Sequence, residues 1–210
     1  VELLLIRHAE PIRIEQGEVE GPADPGLTDR GIEQATRLGA WFGVERVDAI
    51  ITSPLRRARE TAAPLAAELG ITAEIDDGVS EYDATSGEYI PIEELRALKD
   101  ERWRATIEGR WDDAGGMDPV AFQAAVVPAM EAIIDRFAGA KVAVVCHGGV
   151  INVYLAHVLG ITQPLWFHPE YTSVHRVCAA RSGGPRSVSS LNELAHLVAT
   201  RDVPAPERSG

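Results

Sequence analysis

The sequence predicts a three-layer α/β/α sandwich built on a mostly parallel sheet, with room for one antiparallel strand. Three observations carry this. Short apolar runs alternate with amphipathic helical stripes along the chain. The earlier runs are apolar at successive positions, as in strands buried on both faces. Glycines close the first two stripes, as helix C-caps do. A length of 210 residues suits one domain, read over residues 1–200, with a mobile tail at 201–210 that lacks an apolar pattern.

The elements follow in order. Val1 to Ile6, apolar except for Glu2, reads as a central strand. Arg7 to Gly26 mixes glycine, proline and charge and reads as a loop. Thr28 is placed to cap a helix from Asp29, with Ile32, Ala35, Leu38, Ala40, Trp41 and Phe42 as its buried stripe and Gly43 at its end. Val47 to Thr52 is the second strand. Pro54 opens a second helix that runs to Gly70, and Ile71 to Ile75 is a short third strand.

From Asp76 to Gly116 the pattern weakens to one short helix, Ile92 to Arg104. Within it, residues 82–116 look like an insertion covering a site, with Tyr82, Tyr89, Trp103, Arg104 and Trp111 as candidates to shape a pocket. Asp118-Pro119 then starts a long helix whose stripe includes Phe122, Ala125, Val126, Met130, Ile133 and Ile134, with a kink expected at Pro128. Lys141 to Cys146 is the fourth strand, and Gly148-Gly149 leads into a helix from Val150 to Leu159. Ser173 to Ala180 and Ser187 to Leu191 read as strands joined by a Gly183-Gly184-Pro185 turn.

Composition narrows the function classes. The chain is 45% hydrophobic and 25% charged, enough apolar material for a sizeable core. Thirty-two acidic residues against 20 basic ones leave a net charge of −12, which argues against a nucleic-acid binder and against capture by an anionic membrane. Cys146 and Cys178 each lie in a strand-like run and read as buried hydrophobes rather than a disulfide framework. No leader pattern or long apolar run is seen, so a cytoplasmic location is expected.

Three polar clusters follow the first, second and fourth strands: Arg7-His8-Ala9-Glu10, Ser53-Pro54-Leu55-Arg56-Arg57-Ala58 and His147-Gly148-Gly149. In a parallel sheet, strand carboxyl ends share one edge, where ligands bind. Two histidines and two or three arginines gathered there suit a phosphate dianion, because guanidinium and imidazole groups present several N–H donors to its oxygens.

The same residues resemble the histidine phosphatase superfamily, the phosphoglycerate-mutase-like group. LLLIRHAEP is similar to its Arg-His-Gly signature, and LTDRGIEQA to the helix start that follows. ITSPLRRARETA resembles its Ser-Pro-Leu-x-Arg-Ala pattern, which sets the family arginine at Arg57 rather than Arg56. VAVVCHGGVI resembles its second-histidine strand, and SLNELAHL its closing segment. The resemblance implies His8 as a nucleophile that forms a phosphohistidine, with Arg7, Arg57 and His147 holding the phosphoryl oxygens and Gly148 beside them. It also implies an acid/base glutamate after the third strand. Glu81 stands there, with Asp83 and Glu88 as rivals.

Neighbouring guanidinium groups should keep the His8 imidazole neutral, and backbone amides at Gly148 and Gly149 are placed to add to a phosphate cradle. The family's glycine after the nucleophile is replaced here by Ala9, which is strained only where φ is positive.

The expected activity is a metal-independent phosphomonoesterase acting on small phosphorylated metabolites, with no cofactor and a homodimer as the expected state. Pro11-Ile12-Arg13-Ile14 stands where mutases carry a longer signature, which favours hydrolysis over mutase-type transfer. A phospho-ligand binding module without turnover is the other alternative, and the intact His8 and Glu81 count against it. Arg56, Glu10, Thr28, His157, His168, His175 and His196 read as structural, and Asp76-Asp77 and Asp112-Asp113 as solvated loop charge.

Overall fold

The computed structural model describes residues 1–181 and 183–198. Its first strand, β1 (Glu2–Arg7), lies inside a six-stranded sheet between β4 (Lys141–Cys146) and β5 (Val174–Ala179). The full order is β3-β2-β4-β1-β5-β6, where β2 is Ala49–Thr52, β3 Glu74–Ile75 and β6 Arg186–Glu193. β1 pairs parallel with β4, and β2 parallel with β4 and β3. β5 is antiparallel to both β1 and β6, so one strand runs against the rest.

The two-faced burial expected of the central strands is present, and side-chain alternation divides it. Leu3 and Leu5 of β1, with Val142 and Val144 of β4, face α5 (Pro119–Arg136) and α6 (Gly148–Leu159). Leu4, Ile6, Ala143 and Val145 face α1 (Asp29–Phe42) and α2 (Arg56–Leu69). These are the three layers. α1 and α2 pack closely because Gly39 lacks a side chain; a Cβ there would meet the Pro64 backbone at 2.9 Å.

Several boundaries differ from the sequence expectation, each for a local reason. The Ile92 to Arg104 helix divides into α3 (Ile92–Leu98) and α4 (Glu101–Glu108). Lys99 turns left-handed (φ 53°), and the Asp100 carboxylate caps α4 by accepting from the Arg102 amide at 2.8 Å. The third strand shrinks to two exposed residues paired on one side only. In α1 the buried stripe is Gly31, Gln34, Ala35, Leu38, Gly39 and Phe42, while Ile32 and Ala40 face solvent. Ala125 likewise lies on the outer face of α5. Of the two cysteines expected to be buried, Cys146 is buried and Cys178 is exposed on β5. Helix α6 starts at Gly148, with His147 as its N-cap. The expected tail at 201–210 lies outside the described residues. Among the described residues, no helix is long and apolar enough to cross a membrane.

A half-buried ion-pair network fixes β5 to its surroundings. The Arg176 guanidinium donates to Glu45, Glu2 and Glu193, and Lys141 to Glu45 and Glu2. Hydrogen bonds from Arg176 are the largest influence on the Glu45 carboxyl, which is held at about 2 instead of 4.5. A depressed carboxyl contributes stability that is present above pH 4.5 and lost as pH falls toward 2. Arg176→Met should therefore destabilise by roughly 1–2 kcal/mol near pH 7, allowing for solvent screening. Urea midpoints of the two proteins should converge as pH drops below about 4; a gap independent of pH would contradict the ion-pair origin.

Candidate active site

The parallel register brings the three polar clusters to one edge. Arg7 is opposite Cys146, and Thr52 is opposite Val145, so β1, β2 and β4 end side by side. The chain then stays tethered: the His8 amide donates to Cys146 O at 2.9 Å and the Ser53 amide to Val145 O at 3.0 Å. β5 enters this edge from the opposite direction, and the Thr172 amide donates to Arg7 O at 3.1 Å.

The His8 ring is buried, with Nδ1 2.8 Å from Ala9 O. A carbonyl only accepts, so Nδ1 carries the proton and the neutral ring keeps its lone pair on Nε2. Burial, then Arg57, then Arg7 push the ring pKa well below 6.5, so the imidazole is neutral at physiological pH. Ala9 is not among the described residues with positive φ; its methyl packs with Leu27 and Ala35. Alanine is therefore accommodated without backbone strain.

Arg7 and Arg57 are both almost fully buried. Arg7 Nη1 donates to Glu93 Oε1 (2.6 Å) and Pro169 O (2.7 Å), and its guanidinium lies over the Tyr171 ring at 4.2 Å. Arg57 Nη2 donates to Asp83 Oδ1 (2.8 Å), and its guanidinium lies 4.4 Å from the Tyr89 ring centre. Arg56, by contrast, points outward and pairs with Glu60. His147 is fully buried, its Nε2 2.7 Å from Ser53 Oγ and its ring 5.2 Å from that of His8. Burial, then Arg57, also lowers the His147 pKa well below 6.5, so an anion must arrive before this ring gains a second proton.

Five buried side-chain nitrogens lack a hydrogen-bond partner among the described residues, and four of them belong to Arg7, Arg57 and His147: Arg7 Nε, Arg57 Nε and Nη1, and His147 Nδ1. Leaving such groups unpaired costs about 1–3 kcal/mol each. A tetrahedral oxyanion, with several acceptor oxygens, is the ligand that would satisfy them together.

Glu81 approaches from the segment after β3. Its Oε2 accepts from the Gly149 amide (2.8 Å) and its Oε1 from the Tyr82 amide (3.2 Å). Gly149 permits this contact, because a Cβ there would sit 2.2 Å from Glu81 Oε1. The Gly149 amide is thus committed to Glu81, and the cradle expected from both glycines reduces to Gly148, which lines the cavity. Burial, reinforced by the Asp83 charge, raises the Glu81 carboxyl to about 7. Of its rivals, Asp83 is engaged by Arg57, and Glu88 pairs with Arg102 at 3.2 Å.

Sequence reasoning missed Glu93 and Tyr171. Glu93, in the first turn of α3, binds Arg7, the Tyr171 hydroxyl (2.6 Å) and His168 Nε2 (3.2 Å), so it ties the insertion to the Arg7 end of the cavity. Burial acts to raise the Glu93 carboxyl, but the hydrogen bond with His168 and then the Arg7 charge hold it well below its usual range. One acidic residue among many in a weakly patterned stretch gives no signal for this. His168, read as structural, also reaches the cavity wall. Glu10 instead accepts from the Thr28 hydroxyl (3.0 Å) while Thr28 caps α1, and His196 meets the Thr172 hydroxyl (2.9 Å).

The cavity measures about 940 Å³ and runs from Arg7, His8 and Arg57 out under the insertion. Tyr82, Tyr89 and Trp103 line it; Arg104 and Trp111 do not. No group of three or more His, Cys, Asp or Glu side chains among the described residues is arranged to hold a metal ion.

Residues 3–193 match the family model of the histidine phosphatase superfamily, branch 1. The chain belongs to the histidine phosphatase superfamily. Its enzyme type is accordingly that of a histidine phosphatase. Phosphoserine phosphatase 1 of Hydrogenobacter thermophilus is 28% identical over 163 residues, which span 77% of each chain. Phosphoglycerate mutase-like protein 4 of Arabidopsis thaliana is 28% identical over 156 residues, 72% of this chain and 68% of that one.

Solved members of this histidine phosphatase fold superpose over most of the chain. A phosphoserine phosphatase from Entamoeba histolytica, solved with phosphoserine, matches with a TM-score of 0.72 at 24% identity, covering 94% of this chain and 99% of the other. A mycobacterial glucosyl-3-phosphoglycerate phosphatase matches with a TM-score of 0.72 at 21% identity, covering 91% and 98%.

Proposed function

We propose that this histidine phosphatase is a metal-independent phosphomonoesterase of small phosphorylated metabolites, working through a phosphohistidine on His8. The observation that carries this reading is the neutral, buried His8 ring, with its Nε2 lone pair free, among unpartnered nitrogens of Arg7, Arg57 and His147.

In the first step His8 Nε2 attacks phosphorus while the ester P–O bond breaks. The protonated Glu81 carboxyl gives its proton to the departing alkoxide. In the second step the Glu81 carboxylate takes a proton from water, the resulting hydroxide attacks phosphorus, and the P–N bond breaks to release phosphate and neutral His8. Arg7, Arg57 and His147 offset the charge on the non-bridging oxygens, so the scheme draws its electrostatic stabilisation from this chain's own cations.

Transfer to a second hydroxyl, as in a mutase, is the other reading, favoured by the mutase-like relative from Arabidopsis thaliana. The test is turnover in EDTA with 3-phosphoglycerate and an aryl phosphate. Release of inorganic phosphate without isomerisation of 3-phosphoglycerate is expected. Isomerisation faster than release would assign the mutase reaction, and activity lost in EDTA and restored by a divalent cation would overturn the metal-independent scheme.

A further inference from the structure

Beyond the phosphate end the cavity changes character. Apart from Arg7, His8 and Arg57, its wall carries two potentially cationic side chains among the described residues, Arg102 and His168, and both are engaged. Arg102 is bidentate to Asp100 (Nε to Oδ1 and Nη2 to Oδ2, each 3.0 Å) and also reaches Glu88. His168 Nε2 lies 3.2 Å from Glu93. Asp83 and Glu88 add carboxylates to the same wall, and Glu81 a third that is neutral when it serves as the proton donor. A carboxylate on the leaving group would lose its hydration and meet like charge with no free cation to pair it.

The rest of the wall is apolar and aromatic: Leu95 from α3, Trp103 and Ile107 from α4, and Leu165, Trp166 and Phe167 from the segment after α6. Trp166 is held in place in advance. Its amide donates to Asn152 Oδ1 (2.9 Å), its Nε1 to Asn152 O (3.2 Å), and its ring lies 4.5 Å from that of Phe167. Ser86, Thr106 and Gln163 supply neutral hydrogen-bonding groups. The volume of about 940 Å³ is near the top of the range for sites that take drug-sized ligands, roughly 300–1,000 Å³.

From this wall we infer that the preferred leaving group is a bulky, uncharged alcohol bearing a flat aromatic or heteroaromatic group, and that phosphate esters of small carboxylates are poor substrates. The inference rests on the reading of His8 as phosphoryl acceptor, and it narrows the substrate class within it.

The test compares kcat/KM for 2-naphthylethyl phosphate, ethyl phosphate, O-phosphoserine and 3-phosphoglycerate. All four are primary alkyl esters, so similar proton demand leaves pocket contacts to decide among them. The naphthylethyl ester should exceed ethyl phosphate by about tenfold or more, with both carboxylate esters at or below ethyl phosphate. Trp103→Ala should cut the naphthylethyl-to-ethyl ratio several-fold. Reading the ratio within each protein cancels any difference in folded fraction. A carboxylate ester preferred over ethyl phosphate, or a naphthylethyl-to-ethyl ratio near one, would overturn the inference while leaving the phosphatase reading intact. Should none of the esters turn over, that reading fails, and Kd values for the same four compounds, judged by the same order, still decide the nature of the pocket.

Discussion

Replacing His8 with alanine is expected to lower phosphate release from any ester by about 10⁴-fold or more, the loss typical of removing a nucleophile from a concerted site. The geometry makes this effect specific. The His8 tautomer is fixed by Ala9 O with Nε2 left unshared, whereas His147 shares its Nε2 with Ser53 Oγ. Affinity should survive the same change, because the nitrogens of Arg7, Arg57 and His147 remain. Inorganic phosphate should therefore bind the variant with a Kd within about tenfold of the intact protein. Activity within a factor of ten of the intact protein would remove His8 from its role.

The second large effect belongs to Glu81→Gln, and it depends on the leaving group. An alkyl alkoxide needs a proton as it departs, and general acid catalysis is typically worth roughly 10² to 10⁴ in rate. That is the loss expected with an alkyl phosphate. With 4-nitrophenyl phosphate, whose phenolate departs without a proton, kcat/KM should fall far less. Asp83 or Glu88 as donor would reverse the result, leaving Glu81→Gln active on both esters.

The pH profile carries the same assignment. Burial and the Asp83 charge bring the Glu81 carboxyl to about 7, and its protonated form is the donor. For alkyl esters kcat/KM should thus decline about tenfold per pH unit above pH 7, and Glu81→Gln should abolish that limb. His8 titrates well below 6.5, so its protonation should not limit the rate near neutrality. A profile rising through pH 7 would contradict the proton-donor role.

How much of this was legible in the sequence follows from how local each signal is. β1 and β4 are continuous apolar runs because both their faces are covered, and such runs announce central strands directly. The site clusters were legible for the same reason, since parallel strands that end together must present His8, Arg57 and His147 at one edge. The choice of Arg57 over Arg56 came from motif register, and the two side chains do part company, one inward and one toward Glu60.

Long-range partners were not legible. Glu93 reaches Arg7 across 86 positions, and Tyr171 lies in the turn that leads into β5, the one strand that runs against the others. Neither is marked by periodicity. The split at Lys99 was hidden for a different reason: Asp100 can continue a helix or cap a new one, and its neighbours decide.

The decisive measurement is a rapid quench of the intact protein mixed with a radiolabelled phosphomonoester in EDTA, followed by mapping of any protein-bound label. Label that appears before steady-state release, survives alkali, is lost in acid and maps to the His8 peptide is the predicted result. Label on another residue, or multiple turnovers with no labelled protein at any time resolved, would contradict a phosphohistidine at His8.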